Sequence, residues 1–545
     1  MESVLTDSAR PSVARSAGII SLAVMVSRLL GLVRDQVFAI FFGAGFQYDA
    51  FLTAFRIPNL LRDLFAEGAL SSAFVTTFTQ VLEKKGQDEA RRLSNRVATL
   101  IIIVVGLISA IAWIEARAIV AVLAPGFLAI PGKAELATEL TRIMIPFLLF
   151  VALAAQAMGI LNAQDRFGVP ALASAFFNLG SIVGGLLLGF VVGSFLGISP
   201  IAGMAYGTLF GGFLQLAVQW PSLARLGFSY RPMLSLSDPG LRQIVGLMGP
   251  AVIGTAAVQV NVFVNTNFAS SIIDPATGTV ANGPVSWLNY AFRFMQFPIG
   301  VFGVAVATAA LPRLSRYGAH ADLVNFRRAL VHALTLVLVL CIPSAVGLAV
   351  LGRPIIALIF QHGRFSAFDT IQTGNALAAY AIGLAGYAAV KVLSPAFYAL
   401  GSARIPMLIS LGSIAVNYVL NLLLVGPFGH VGLAASTSGV ALVNVFLLVI
   451  LIRRKLGTLA AGELGMKTLR IAAASAPMAA GVWAVSESLA ALPLVGLPLN
   501  LAQVALAVPL GAVTFYLGCR FLGVTEADEA FAAIGGRLVR RFGRK

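Results

Sequence analysis

Residues 16–42 read SAGIISLAVMVSRLLGLVRDQVFAIFF, an apolar run of bilayer-spanning length that carries Arg28, Arg34 and Asp35 inside it. About 20 apolar residues in a helix cross the hydrocarbon core of a membrane. An arginine near the bilayer centre costs roughly 2.5–3.5 kcal/mol on insertion scales. The pattern recurs: Arg56 and Arg62 lie within the apolar segment 48–82, and Arg293 within 284–311. Facing lipid, five such arginines would cost on the order of 10 kcal/mol. They are therefore expected to face an internal site that needs positive charge.

The rest of the chain agrees with a membrane protein. It has 545 residues, of which 59% are hydrophobic and 11% charged, against about 25% charged in a soluble chain. The mean hydropathy is +0.91. Fourteen membrane-length segments are expected, at 16–42, 48–82, 97–124, 138–161, 170–195, 201–224, 243–271, 284–311, 327–351, 367–399, 404–425, 430–452, 468–489 and 497–522. The fold class is all-α and polytopic. The expected organisation is 1–232 as a first six-helix lobe, 233–456 as a second, and 457–545 as two further helices with a basic tail.

Loop charge fixes the expected orientation. One set of loops carries 26 Lys and Arg, from Arg10 and Arg15 through the Lys84–Arg96 loop to Arg453, Arg454, Lys455 and the tail Arg537–Lys545. The alternate set carries Lys133, Arg353 and Arg364 only. The positive-inside rule then puts both termini in the cytoplasm. The net charge of +16 reads as cytoplasmic loops and tail near anionic headgroups, with no nucleic-acid partner. Cys341 and Cys519 give no disulfide or zinc pattern, and the four histidines have no metal spacing. No P-loop, GxSxG or HExxH is present, so the chain is not expected to be an enzyme.

The polar residues inside the apolar segments form stripes. Arg28 and Asp35 are seven apart, as are Asp49, Arg56 and Asp63, so each set shares one helix face. Arg34 aligns with Ser27, and Arg62 lies a turn after Asn59. Asn289, Arg293, Gln296 and Gly300 share a face near Pro298, which should kink its helix. Arg28–Asp35 and Asp49–Arg56 are open to internal pairing. Arg34, Arg62 and Arg293, with Lys391, read as surplus positive charge, suited to a phosphate or carboxylate cargo because the guanidinium fork binds oxygens bidentately. Asn261, Asn265, Asn417, Asn421 and Thr437 could coordinate a monovalent cation; interhelical hydrogen bonding is the commoner role. Ser366 to Asp369 reads as a capping box.

The blocks Ser27-Arg28-Leu29-Leu30-Gly31-Leu32-Val33-Arg34-Asp35, Phe42-Gly43-Ala44-Gly45 and Ala54-Phe55-Arg56-Ile57-Pro58-Asn59-Leu60-Leu61-Arg62 resemble the MurJ (MviN) family of lipid II flippases. So do Phe65-Ala66-Glu67-Gly68, Tyr290-Ala291 with Arg293 and Phe297-Pro298, Phe360-Gln361-His362-Gly363-Arg364-Phe365, and Lys391-Val392-Leu393-Ser394-Pro395. The resemblance implies a MATE-like exporter fold of two lobes around a central cavity, plus two C-terminal helices. It implies a cargo of lipid II, the undecaprenyl-pyrophosphate-linked peptidoglycan precursor, moved outward across the bacterial inner membrane by a monomer working through alternating access. By motif the cargo-binding residues are Arg28, Arg34, Asp49, Arg62 and Arg293, with Ser27, Asn59 and Gln296 beside them. The family's motif often has an acid just before Arg293, where this chain has Phe292. Some members look sodium-dependent through acids where this chain has Asn261 or Asn265, Asn417 and Asn421. A neutral amide set binds sodium more weakly. No cofactor is expected; coupling falls to the membrane potential or a monovalent cation. The rival reading is an ion-coupled exporter of the same fold for another polyprenyl-linked oligosaccharide or a small drug.

Overall fold

The computed structural model describes residues 13–63, 71–235, 237–457 and 461–532. Among these the chain is helical, with one isolated bridge between Ile273 and Val280. In order the helices are α1 (Val13–Phe42), α2 (Phe46–Arg62), α3 (Ser71–Ile114), α4 (Ala116–Leu123), α5 (Lys133–Met144), α6 (Phe147–Ala163), α7 (Gly168–Leu186), α8 (Gly193–Leu196) and α9 (Pro200–Ala217). They continue as α10 (Trp220–Arg225), α11 (Pro239–Ser270), α12 (Pro284–Pro298), α13 (Val304–Ala319), α14 (Leu323–Phe360), α15 (Ala367–Ala399), α16 (Arg404–Leu456), α17 (Ala461–Ala490) and α18 (Leu497–Phe521).

Ten helical stretches among the described residues are long and apolar enough to cross a membrane, against the fourteen segments read from the sequence. Part of the difference is geometric. α3 runs through Gly86 (φ 80°, ψ −179°) and joins the end of the expected segment 48–82 to most of 97–124. α16 joins two expected segments in the same way through Gly429 (φ 55°, ψ −132°). Of the expected helix 48–82, α2 covers the part to Arg62 and α3 the part from Ser71; residues 64–70, Glu67 among them, lie outside the described residues. The backbone stays helical through Pro298. This residue closes α12, and a wide turn at Ile299–Gly303 carries the chain into α13, since proline removes a backbone donor.

By compactness the chain forms two units, Met1–Phe42 with Phe46–Gln259, and Gly43–Gly45 with Val260–Lys545. The three-part organisation read from the sequence divides by helix count; this one divides by packing.

In the first unit, α7 and α9 meet backbone to backbone. A Cβ on Gly207 would lie 2.2 Å from the Gly185 nitrogen, and one on Gly203 2.3 Å from the Gly189 nitrogen. Small residues spaced four apart permit this approach, the usual basis of helix association in membranes. α1 docks on α7, with Asn178 Nδ2 donating to the Ser27 carbonyl at 3.1 Å. Phe74, Phe78, Phe147 and Phe177 fill the core between α3, α6 and α7.

In the second unit, α15 packs along α14 and α16. Its first turn is closed by the expected capping box: Ser366 Oγ accepts from the Asp369 N–H at 3.1 Å, and Asp369 Oδ2 accepts from the Ser366 N–H at 3.0 Å. The other carboxylate oxygen accepts from Trp287 Nε1 at 2.8 Å, tying α12 to the same cap. α17 and α18 pack on α14 through Val339, Ile471, Met478, Phe515 and Cys519. Both cysteines are buried and unbridged.

Candidate functional site

α1 presents Arg28 exposed and Arg34 half-buried. Arg34 Nη2 stands 3.4 Å from Asp35 Oδ1, and the Arg34 guanidinium lies 5.6 Å from the centre of the Phe177 ring. α7 thus supplies an aromatic platform that limits where the guanidinium can swing. On α2, Arg62 donates from Nε at 3.1 Å and from Nη2 at 2.8 Å to one oxygen, Asp63 Oδ1. The other oxygen of Asp63 accepts from Gln259 Nε2 on α11 at 3.3 Å.

These contacts correct the reading of Arg34 and Arg62 as surplus charge. Each is paired with the acid next to it in sequence. Stripe arguments compare residues one or two turns apart, whereas a flexible arginine stem can reach the side chain beside its own. A carboxylate at the guanidinium offsets part of the cost of holding the charge away from water. An anionic cargo must then compete with Asp35 and Asp63 for the same donors.

Asp49 is placed differently from the expectation that it stands beside the cargo-facing arginines. It is 0% exposed, and its Oδ2 lies 2.9 Å from Lys133 Nζ, itself 0% exposed. Lys133, expected as a loop charge, begins α5 after the left-handed Gly132, and its ammonium sits 4.3 Å from the centre of the Phe127 ring. A cation at a helix N-terminus opposes the helix dipole, so Asp49 and the ring stabilise it. The sequence does hold a clue, because Lys133 is the lone basic residue in a loop otherwise free of them. Arg56 and Asn59 are half-buried on the same helix as Asp49.

In the second unit Arg293 is half-buried on α12, one turn before Pro298, and Gln296 is exposed. Phe292, in the place of the family's frequent acid, packs edge-on against Tyr380 with centroids 5.4 Å apart. Lys391 is exposed on α15.

The amides of α11 and α16 form a net. Asn417 Nδ2 donates to Asn261 Oδ1 and to Asn265 Oδ1, both at 3.0 Å, and Asn421 Nδ2 donates to Asn265 Oδ1 at 3.0 Å. Asn261 Nδ2 donates to Ser413 Oγ at 3.0 Å and Asn265 Nδ2 to Thr437 Oγ1 at 3.2 Å. A sodium ion needs several converging oxygens with spare lone pairs. Here the oxygens of Asn261 and Asn265 receive N–H donors, Asn417 Oδ1 accepts from the Ser436 hydroxyl, and Asn421 Oδ1 is buried without a hydrogen-bond partner. No carboxylate joins the net, and no group of three metal-ligating acids, His or Cys occurs among the described residues. As arranged, the set bonds α11 to α16.

The comparisons with known proteins agree with this architecture. The family model for lipid II flippase MurJ matches residues 38–502. The lipid II flippase MurJ of Burkholderia cenocepacia is 34% identical over 435 residues, covering 79% of this chain and 82% of the relative. The solved structure of lipid II flippase MurJ in an inward closed conformation superposes with a TM-score of 0.75 at 26% identity, covering 92% of this chain and 99% of that one. An inward-facing MATE family multidrug transporter of the MOP superfamily shares the fold at 15% identity, with a TM-score of 0.67 over 82% of this chain and 99% of its own. This multi-pass helical membrane protein belongs to the MurJ family of lipid II flippases.

Proposed function

We propose that the chain moves lipid II from the inner to the outer leaflet of the bacterial inner membrane, as a monomer with both termini cytoplasmic. The observation that carries this reading is the set of guanidiniums kept in apolar helices, Arg34 and Arg62 of the first unit above all, each poised on a neighbouring carboxylate. A pyrophosphate offers more negative charge than one carboxylate and matches the guanidinium fork. It would draw Arg34 from Asp35 and Arg62 from Asp63, with Arg28 and Arg293 as further cargo contacts. Ser27, Asn59 and Gln296 are proposed to hydrogen-bond the cargo's polar head. Asp49 is proposed to act through Lys133, by fixing α2 against α5.

Alternating access then needs an energy source, and the membrane potential supplies one. An anion carried fully outward across an inside-negative membrane gains about 2.3 kcal/mol per charge per 100 mV. The same field draws the unloaded, positive transporter back. Coupling is proposed to run on the membrane potential rather than on sodium, since the amide set of α11 and α16 holds no carboxylate.

Complementation tests the function. In cells depleted of their own lipid II flippase, this chain should restore growth and its Arg293→Ala form should not, with equal amounts of both in the membrane. Growth restored by neither would overturn the reading.

A further inference from the structure

A second polar site lies in the first unit, away from the arginines of α1 and α2. A groove of about 650 Å³ is walled by α5, by the α3–α4 junction and by α9. Glu135, Glu139 and Arg142 line it from α5 at spacings of four and three, hence on one stripe. Trp113 and Arg117 face it from the junction, and Tyr206 from α9.

Two acids and two arginines share this compartment without pairing with one another among the described residues. Glu135 and Glu139 are like charges one turn apart, a repulsion that a cation between them relieves. Arg142 is within helical reach of Glu139 but is held elsewhere: its Nε donates to the Trp113 carbonyl at 3.2 Å, and its guanidinium lies 5.2 Å from the Trp113 ring centre. Arg117 stands on α4, across from Glu135 and Glu139, and Arg142 is turned onto Trp113, so both signs face the groove with no ion pair between them. That arrangement complements a ligand with an ammonium and an anion of its own.

The surroundings say what kind of molecule carries them. The surface beside the groove is apolar and exposed, with Leu107, Ile111 and Ile114 on α3 and Phe210 and Phe213 on α9. In a membrane protein such a surface meets acyl chains. Trp113 and Tyr206 are the residue types that settle at headgroup depth. The volume lies within the about 300–1,000 Å³ of small-molecule sites.

We infer that this groove binds the headgroup of a zwitterionic phospholipid of the phosphatidylethanolamine class. Arg117 and Arg142 take its phosphate, Glu135 and Glu139 take its ammonium beside the Trp113 ring, and its chains lie along α3 and α9. This is a site for a resident bilayer lipid and makes no use of the cargo-binding arginines.

Native mass spectrometry of the full-length protein, delipidated and then offered equal amounts of phosphatidylethanolamine and phosphatidylglycerol, tests it. One phosphatidylethanolamine should be retained in preference by about tenfold, some 1.4 kcal/mol. The Glu135→Gln/Glu139→Gln double variant should lose that preference while still retaining phosphatidylglycerol. Soluble glycerophosphoethanolamine should not displace the lipid at matching concentration. Equal retention by the unaltered protein overturns the inference even if the double variant folds poorly. So does a preference that survives the double substitution, and displacement by the soluble headgroup would make the ligand a free zwitterion instead.

Discussion

Replacing Lys133 by methionine removes one half of an ion pair that neither water nor lipid reaches. Both partners are 0% exposed, 2.9 Å apart, and the ammonium also faces the Phe127 ring at 4.3 Å. Breaking one side of a buried pair costs about 3–5 kcal/mol, because the remaining charge loses its opposite. At about 2–4 °C per kcal/mol for a body of roughly this size, the melting temperature of purified Lys133→Met should fall by on the order of 10 °C. Asp49→Asn should fall comparably. The double variant Asp49→Leu/Lys133→Met buries an apolar pair of similar volume and should recover most of the loss. Growth in the depletion strain divides the roles. If Asp49 acts through Lys133, the double variant regains function along with stability. If Lys133→Met melts within about 2 °C of the parent, the pair is not holding α2 to α5 and the reasoning is wrong.

Other outcomes follow from the same geometry. Gly43 adopts φ +66°, and a Cβ there would sit 2.6 Å from the Arg364 carbonyl oxygen, so Gly43→Ala should cost at least about 1–2 kcal/mol, seen as earlier thermal unfolding. Asn417→Ala removes two 3.0 Å hydrogen bonds and should cost about 1–2 kcal/mol; transport by the parent protein should be unchanged when sodium is replaced by potassium, measured in vesicles. Burial pushes the Glu526 carboxyl up, but its hydrogen bond to Lys467 at 2.7 Å and the lysine's charge outweigh that and hold it below the ordinary 4.5. A lowered carboxylate contributes stability above about pH 4.5 that is lost as the pH falls through its folded value. Melting curves from pH 6 downward should therefore show an acid-side loss that Glu526→Gln, already lacking the charge, does not share.

The membrane class, the α15 boundaries and its capping box could be read from the chain because each rests on local chemistry: apolar length, a helix period, a serine three residues before an aspartate. At Pro298 the sequence suggested a kink, and the structure has a wider helical turn at Ile299–Gly303 directly after it. What escaped were contacts that periodicity does not encode. Arg34–Asp35 and Arg62–Asp63 are neighbours in sequence and point about 100° apart on an ideal helix, so only side-chain flexibility brings them together. Lys133 and Asp49 are 84 positions apart, and nothing in either segment names the other. The stretch at Gly86 reads as a loop by charge and proves to be a glycine inversion between two helical runs. The Asn261–Asn417 net was foreseen as a choice between glue and cage, and its N–H donors bond α11 to α16.

The most direct test of the central claim is the rate at which fluorescent lipid II crosses vesicle membranes holding this protein under an imposed potential, compared with Arg34→Ala. Charge-assisted hydrogen bonds to a phosphate are worth about 1.5–3 kcal/mol each, so the variant should be slower by about 10–100-fold, and the unaltered protein should move lipid II faster toward the positive side. An Arg34→Ala protein that folds normally and moves lipid II at the parent's rate would contradict the account.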